Sequence, residues 1–310
     1  MGNGKPFIKH LGFGKFIKKH IKKSNYYFKN HINISYLQKT GKQLLKRNTY
    51  FFTKTYPMKV TNNIAFDFKD SYSRIEEIID STSTFDDHDE VPNSDELSYN
   101  NGYYFNCYSI FIDIRDSSKL PDKYQKRVLA KIYRAYISEI VAIFQSSNSC
   151  KEINIVGDSV WAIFEAKEKK NVLEVFSAAY MSESLIQNLN YKLCKKNIEE
   201  IKTGIGICKG NALMIKAGFK GSGINDVIYM GNVVNQASKM CSKARKEVNS
   251  GLVIDDNTYQ DLFGYQNLSN VTYQSMFSFN FQSNYYHGTI INIGMESWLN
   301  EKKQNSPCSK

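Results

Sequence analysis

The 310-residue sequence predicts an α+β fold, and three features carry that prediction. Tyr108 to Ile114 is an apolar run rich in β-branched and aromatic residues, which reads as a strand with Asp113 at its exit. Glu152 to Phe164 holds two more such runs around Gly157-Asp158, a dipeptide whose residues tolerate the positive φ of a two-residue hairpin. Two long segments with apolar residues at a 3.6-residue period flank that hairpin. The resulting order of strand, helix, two strands, helix and strand is ferredoxin-like, an antiparallel sheet with helices on one face. Its central strands are neighbours, so the order alone predicts that Asp113 and Asp158 converge.

A chain of this length with 42% hydrophobic residues can bury one sizeable core and carry an appendage. Charge identifies the appendage. Residues 1–60 hold 13 Lys and one Arg with no Asp or Glu, or +14 of a total of +11, so residues 61–310 carry −3. Within this basic N-terminal arm Phe7, Ile8, Leu11, Ile17 and Ile21 stand at roughly helical spacing among lysines, which suits peripheral contact with an anionic membrane or a nucleic acid. Gly4, Gly12 and Gly14 weaken any helix there. The expected partition is an arm over 1–60, a short helix and acidic linker over 61–102, a catalytic domain over 103–295 and a C-terminal tail over 296–310. Six cysteines without CxxC or metal-ligand spacing read as free thiols in a reducing cytoplasm. The lack of an 18-residue apolar run or a signal-peptide pattern predicts a cytoplasmic protein.

In chain order, a short helix is expected near Tyr72 to Ile79, then a polar stretch from Ser81 to Asn101 with six acids between Asp86 and Glu96. His88 sits among those acids and reads as a solvated linker residue rather than a ligand. After the Asp113 strand, Pro121-Asp122 opens a helix whose apolar face runs through Leu129, Ile132, Tyr136, Ile140 and Phe144. A second helix follows the hairpin from about Asn171 to Leu193. Lys202 to Cys208 and Ala212 to Ala217 read as two strands about a Lys209-Gly210-Asn211 turn. A glycine-rich loop (Gly218, Gly221, Gly223) leads to Gly231, and helical spacing begins at Val233. Leu252 to Ile254 and Thr289 to Ile293 are expected to close the sheet, and the last ten residues to fray.

Two candidate chemistries emerge from the residues themselves. Asp113 and Asp158, if adjacent, form a pair of hard oxygen ligands of the kind that holds Mg²⁺ around nucleotide phosphates. Asn235 and Lys239 lie four apart and so share one helix face near its N-terminus, where amides and a cation can meet phosphate or ribose oxygens.

Four collinear segments resemble one family. They are Phe111-Ile-Asp113-Ile-x-x-x-Ser118, Ile155-Val-Gly157-Asp158-Ser-Val-Trp-Ala-x-Phe164, Gly204-Ile-Gly206-Ile-x-x-Gly210 and Gly231-Asn-x-Val-Asn235-x-Ala-Ser238-Lys239-Met240. Over residues 103–295 the chain resembles the catalytic domain of class III nucleotidyl cyclases. The resemblance implies attack of a ribose 3′-oxygen on the α-phosphorus of a nucleoside triphosphate, with release of pyrophosphate. It implies two Mg²⁺ or Mn²⁺ ions held by Asp113, Asp158 and the Ile114 carbonyl, and phosphates cradled around Ser117 and Ser118. Asn235 would orient the ribose, and Lys239 would stand where the family has an arginine, keeping the charge without the bidentate fork. The two halves of each site would come from opposite subunits of a homodimer.

The base-reading positions of purine cyclases fall on Asn154 and Ile228, which lack the cation and the polar partner used for a purine edge. That departure and the run from Phe111 to Leu120 resemble the Pycsar antiphage cyclases, which make cyclic UMP or cyclic CMP for a separate effector. The Asn154 amide suits either pyrimidine, and UTP is the expected substrate with CTP as the alternative. Two other readings are an adenylate cyclase with an unusual base pocket and a catalytically dead regulatory domain.

Overall fold

The computed structural model describes residue 60 and residues 63–308. The basic arm, apart from Val60, lies outside the described residues. The described chain forms one nine-stranded mixed sheet whose path runs from 150–156 through 159–165, 101–114, 203–219, 252–254 and 285–288 to 278–280, with 84–88 beside 101–114 and 224–230 beside 203–219.

Helix α1 (Phe68–Asp80) starts at Asp67, whose carboxylate accepts from the Lys69 and Asp70 amides. The acidic stretch after it is more ordered than a linker. Strand β1 (Thr84–His88) pairs in parallel with β2 (Asn101–Ile114), and His88 packs edge-on against Tyr103. Its acids face solvent while its backbone completes a ladder, so composition alone misread it.

β2 is the central strand and fixes both layers. Tyr108, Ile110, Ile112 and Ile114 point to one face, where they meet α3 (Lys126–Gln145) and α4 (Asn171–Cys194). Phe105, Cys107 and Phe111 point to the other, toward α5 (Asn232–Lys243). Two helices thus cover one face as expected, and α5 adds a helix on the opposite one. The Pro121 segment makes only a short helix, α2 (Leu120–Lys123); Tyr124 is extended, and α3 begins afresh.

β3 (Cys150–Val156) and β4 (Ser159–Glu165) form the expected hairpin, with Gly157 at φ 64°. β5 (Thr203–Phe219) is a single seventeen-residue strand, which corrects the predicted turn at Lys209-Gly210-Asn211. All three residues stay paired with β2, opposite Tyr108, Cys107 and Asn106. Gly210 marks no reversal, and a Cβ there would meet Val233 Cβ at 3.4 Å, an ordinary packing contact. The chain reverses beyond Phe219, where Gly221 and Gly223 take positive φ, and returns as β6 (Ile224–Met230) rather than as a loop.

β7 (Leu252–Ile254) is a strand of the sheet as expected, but it runs parallel to β5 inside the sheet rather than closing it. A one-and-a-half-turn helix, α6 (Asp256–Asp261), follows. The sheet closes with β8 (Ser278–Asn280) and β9 (Tyr285–Gly288), not with Thr289 to Ile293. The expected frayed end is instead helix α7 (Ile293–Asn305), which buries Leu299 and accepts the Tyr191 hydroxyl of α4 at the Lys302 carbonyl, 3.0 Å. Cys107, Cys208 and Cys241 are buried free thiols and Cys150 is half-buried, but Cys194 and Cys308 are joined, contrary to the expectation of six free cysteines.

Candidate active site

Asp113 lies one residue from the end of β2, on the α5 side of the sheet. The last β2–β4 pair is Ile112 with Val160, so the Gly157-Asp158 turn falls beside the Asp113 end of β2. The two carboxyl groups are close enough for the charge of Asp158 to act on Asp113. Burial first, and the Asp158 charge second, push the Asp113 carboxyl up to about 6, against the opposing pull of Arg115. Asp158 Oδ2 is buried with no hydrogen-bond partner.

Two half-buried acids with an orphaned oxygen make a cation-seeking site. Among the described residues no group of three or more His, Cys, Asp or Glu side chains could hold a metal by itself. Asp113, Asp158 and the Ile114 carbonyl are hard oxygen donors, a partial set that fits Mg²⁺ or Mn²⁺ shared with substrate phosphates, since Mg²⁺ is commonly bound through one or two carboxylates plus phosphate oxygens.

Three charged or polar neighbours of the pair escaped sequence reasoning. Arg115 is buried and donates from Nη2 to Asp113 Oδ2 at 2.9 Å. Lys246 lies close enough to draw the Asp113 carboxyl down, and Tyr133 of α3 close enough to feel both acids. The alternation of β2 was the available signal for Arg115, which falls two residues beyond Asp113 on the same face. Tyr136 donates its hydroxyl to the Ile112 carbonyl at 3.1 Å and so ties α3 to the strand beneath the site.

Beyond Arg115, Asp116 adopts the left-handed conformation at φ 56°, and Ser117 to Lys119 form a single tight turn. The first amides of such a turn have no carbonyl within it to bond. Ser117 is half-buried and Ser118 exposed.

Asn154 lies opposite Trp161, which stacks on Phe111 at 5.3 Å and meets Tyr229 edge-on at 5.9 Å. Asn154 Nδ2 and the Tyr229 hydroxyl are buried without partners. Burial first, and the Asp226 charge second, raise the Glu152 carboxyl to about 7, against a weaker opposing pull from the neighbouring Asn154. Ile228 is 40% exposed, on the alternate side of β6 from Tyr229. The structure therefore sets Tyr229, not Ile228, over the Asn154 and Trp161 side.

Asn235 and Lys239 are both exposed. The sheet side of α5 is Val233, Ala237 and Cys241, at i, i+4 and i+8, so Asn235 and Lys239 stand on the side turned away from their own sheet. Within one chain they are not gathered around Asp113 and Asp158.

Residues 102–274 match the adenylate and guanylate cyclase catalytic domain. A protein named uridylate cyclase from Gulbenkiania mobilis is 41% identical over 252 residues, covering 77% of this chain and 98% of its own length. Another uridylate cyclase, from Treponema porcinum, is 32% identical over 237 residues, covering 76% of this chain and 82% of its own. Among solved structures, a class III adenylyl cyclase-like ATP-binding protein from Pseudomonas aeruginosa aligns with a TM-score of 0.50 at 13% identity, over 79% of this chain and 54% of that one, a likeness of fold.

Proposed function

The chain belongs to the family of adenylate and guanylate cyclase catalytic domains, and from that premise we propose that it closes a pyrimidine nucleoside triphosphate, UTP first and CTP second, into a 3′,5′-cyclic monophosphate. The observation that carries the reading is the convergence of Asp113 and Asp158 with a buried oxygen left unpaired. In the reaction the ribose 3′-oxygen bonds to the α-phosphorus, the bond to the β-phosphate oxygen breaks, pyrophosphate leaves and the hydroxyl proton is lost. Two Mg²⁺ or Mn²⁺ ions held by Asp113, Asp158 and the Ile114 carbonyl would lower the pKa of the 3′-hydroxyl and offset triphosphate charge.

The chain's own residues bind and orient. The amides and hydroxyls of Ser117 and Ser118 hold phosphate oxygens. Asn235 aligns the ribose, and Lys239 places a positive charge where the phosphorus becomes pentacoordinate. Asn235 and Lys239 point away from their own acids, which supports a homodimer in which each site draws them from the partner. Asn154 reads the base: its orphaned amide donor suits a pyrimidine carbonyl, and Asn154 itself carries no charge for a purine edge.

The test is to offer the purified protein all four ribonucleoside triphosphates with Mn²⁺ and identify products by mass spectrometry. Cyclic UMP is expected, with activity lost in Asp113→Ala and in Asp158→Ala; cyclic AMP as the sole product would overturn the pyrimidine assignment. We further propose that the product is a second messenger for a separate sensing effector in antiphage defence in the cytoplasm. The +14 charge of residues 1–60 is proposed to serve peripheral contact with an anionic membrane or nucleic acid, and removing those residues should abolish salt-sensitive binding to either.

A further inference from the structure

Arg115 has a job that metal binding alone does not describe. Its side chain is 5% exposed, and a buried guanidinium demands partners on every side. It finds them on two elements. Nη2 donates to Asp113 Oδ2 at 2.9 Å and to the Asp113 carbonyl at 3.2 Å, and Nε reaches the same carbonyl at 3.4 Å. Nη1 reaches the carbonyls of Cys241 at 3.4 Å and Ser242 at 3.5 Å, and Nη2 lies 3.6 Å from Cys241 Sγ. Those two carbonyls belong to the C-terminal turn of α5, where the negative end of the helix dipole favours a cation. The slot is built for the guanidinium: a Cβ on Gly204 would come 2.9 Å from Arg115 Cζ and 2.6 Å from the Cys241 carbonyl. Cys241 Sγ closes the arrangement by donating to the Gly204 carbonyl at 3.1 Å.

We propose that Arg115 is a positioning residue which fixes the metal-binding carboxylate and the end of α5 as one body, and so couples the two active sites of the dimer. This rests on the cyclase reading above. Arg115 engages one oxygen of Asp113 and leaves the other for a cation. At its other end it anchors the helix that carries Asn235 and Lys239, which in the dimer serve the opposite site. A lysine could supply the charge but not the planar fork that spans both elements.

The test uses the full-length protein with Arg115→Gln and Arg115→Lys. Electron paramagnetic resonance titration of Mn²⁺ into nucleotide-free protein reads the carboxylate end, and kcat for UTP at saturating Mn²⁺ reads the helix end. Arg115→Gln is expected to weaken Mn²⁺ binding about tenfold or more, as loss of an outer-shell partner does, and to lower kcat even at saturating metal while KM for UTP changes little. Arg115→Lys should recover Mn²⁺ affinity but not kcat, and it supplies the result if the glutamine variant does not fold.

Mixed dimers separate coupling from local support. Pairing an Asp113→Ala chain with a Lys239→Ala chain leaves one complete site. Arg115→Gln added to the chain that donates Lys239 should lower kcat at that site without changing its Mn²⁺ affinity. Unchanged kcat there overturns the coupling, and unchanged Mn²⁺ affinity in the homodimeric Arg115→Gln variant overturns the positioning of Asp113. Absence of any cyclic nucleotide from the wild-type protein would count instead against the cyclase reading, while the Mn²⁺ titration would still test the carboxylate end.

Discussion

Asp113 and Glu152 are carboxyls whose burial works against ionisation, and both leave a signature in stability. Each has a folded-state pKa above its ordinary value, about 6 for Asp113 and about 7 for Glu152. The folded protein therefore holds more protons than the unfolded chain between about pH 4 and pH 7. The sign follows: metal-free stability is fullest below this window and falls as pH rises through it. Glu152 is only partly enclosed, so its share is about 1 to 2 kcal/mol after screening. Chemical denaturation of metal-free protein should show stability decreasing from pH 5 to pH 8. Glu152→Gln should flatten that slope and be the more stable protein at pH 8; an unchanged slope would contradict the assignment. Asp158→Asn removes a like charge beside Asp113 and should also stabilise the metal-free fold while abolishing cyclisation, the trade expected of a site built from repelling groups. Asp113 and Asp158 were legible because each sits at a locally encoded position, a strand exit and a hairpin turn. Arg115 was not, because its role depends on carbonyls some 126 residues away.

Among the elements, α5 owes its seat to glycines in β5. A Cβ on Gly206 would come 2.8 Å from Cys241 Cα and would also collide with the backbone of Ala237. Gly206→Val is expected to cost about 3 kcal/mol, typical of overpacking against backbone, and to shift the helix that bears Asn235 and Lys239. Denaturant titration should show the lost stability, and kcat should fall with it. Asn235→Ala, exposed and away from the sheet, should lower kcat with no change in the midpoint. The same strand shows where local reading fails. Lys209-Gly210-Asn211 has the composition of a turn, yet a fourteen-residue partner, β2, keeps it extended, and tertiary pairing overrides local preference. Strand β1 was missed for the complementary reason, since its acids are solvated while its backbone is paired.

At the scale of the whole molecule, the C-terminal helix is part of the core rather than a tail. Leu299 is 1% exposed, and α7 is held to α4 through the Tyr191 hydroxyl and through the Asn292 amide donating to Ser184 Oγ at 2.7 Å. Leu299→Ala should cost about 2 to 4 kcal/mol, the usual range for a buried leucine, read as a lower thermal midpoint. A midpoint shift near zero would mean that α7 is dispensable to the fold. Arg245, just past α5, pairs with the buried Glu183 of α4 and donates to the Thr203 carbonyl at 3.1 Å, so the layers on the two faces of the sheet are joined by charge as well as by apolar contact. No helix among the described residues is long and apolar enough to cross a membrane.

The sequence by itself determined the strand that ends in Asp113, the hairpin that presents Asp158, and the two helices that cover one face, because each is written in short-range periodicity and turn chemistry. Tertiary structure decided the rest. The burial of Arg115, the seating of α5 on the opposite face, the outward aim of Asn235 and Lys239 and the strands that close the sheet all depend on registers between segments far apart in the chain, and such distances leave no mark in local spacing.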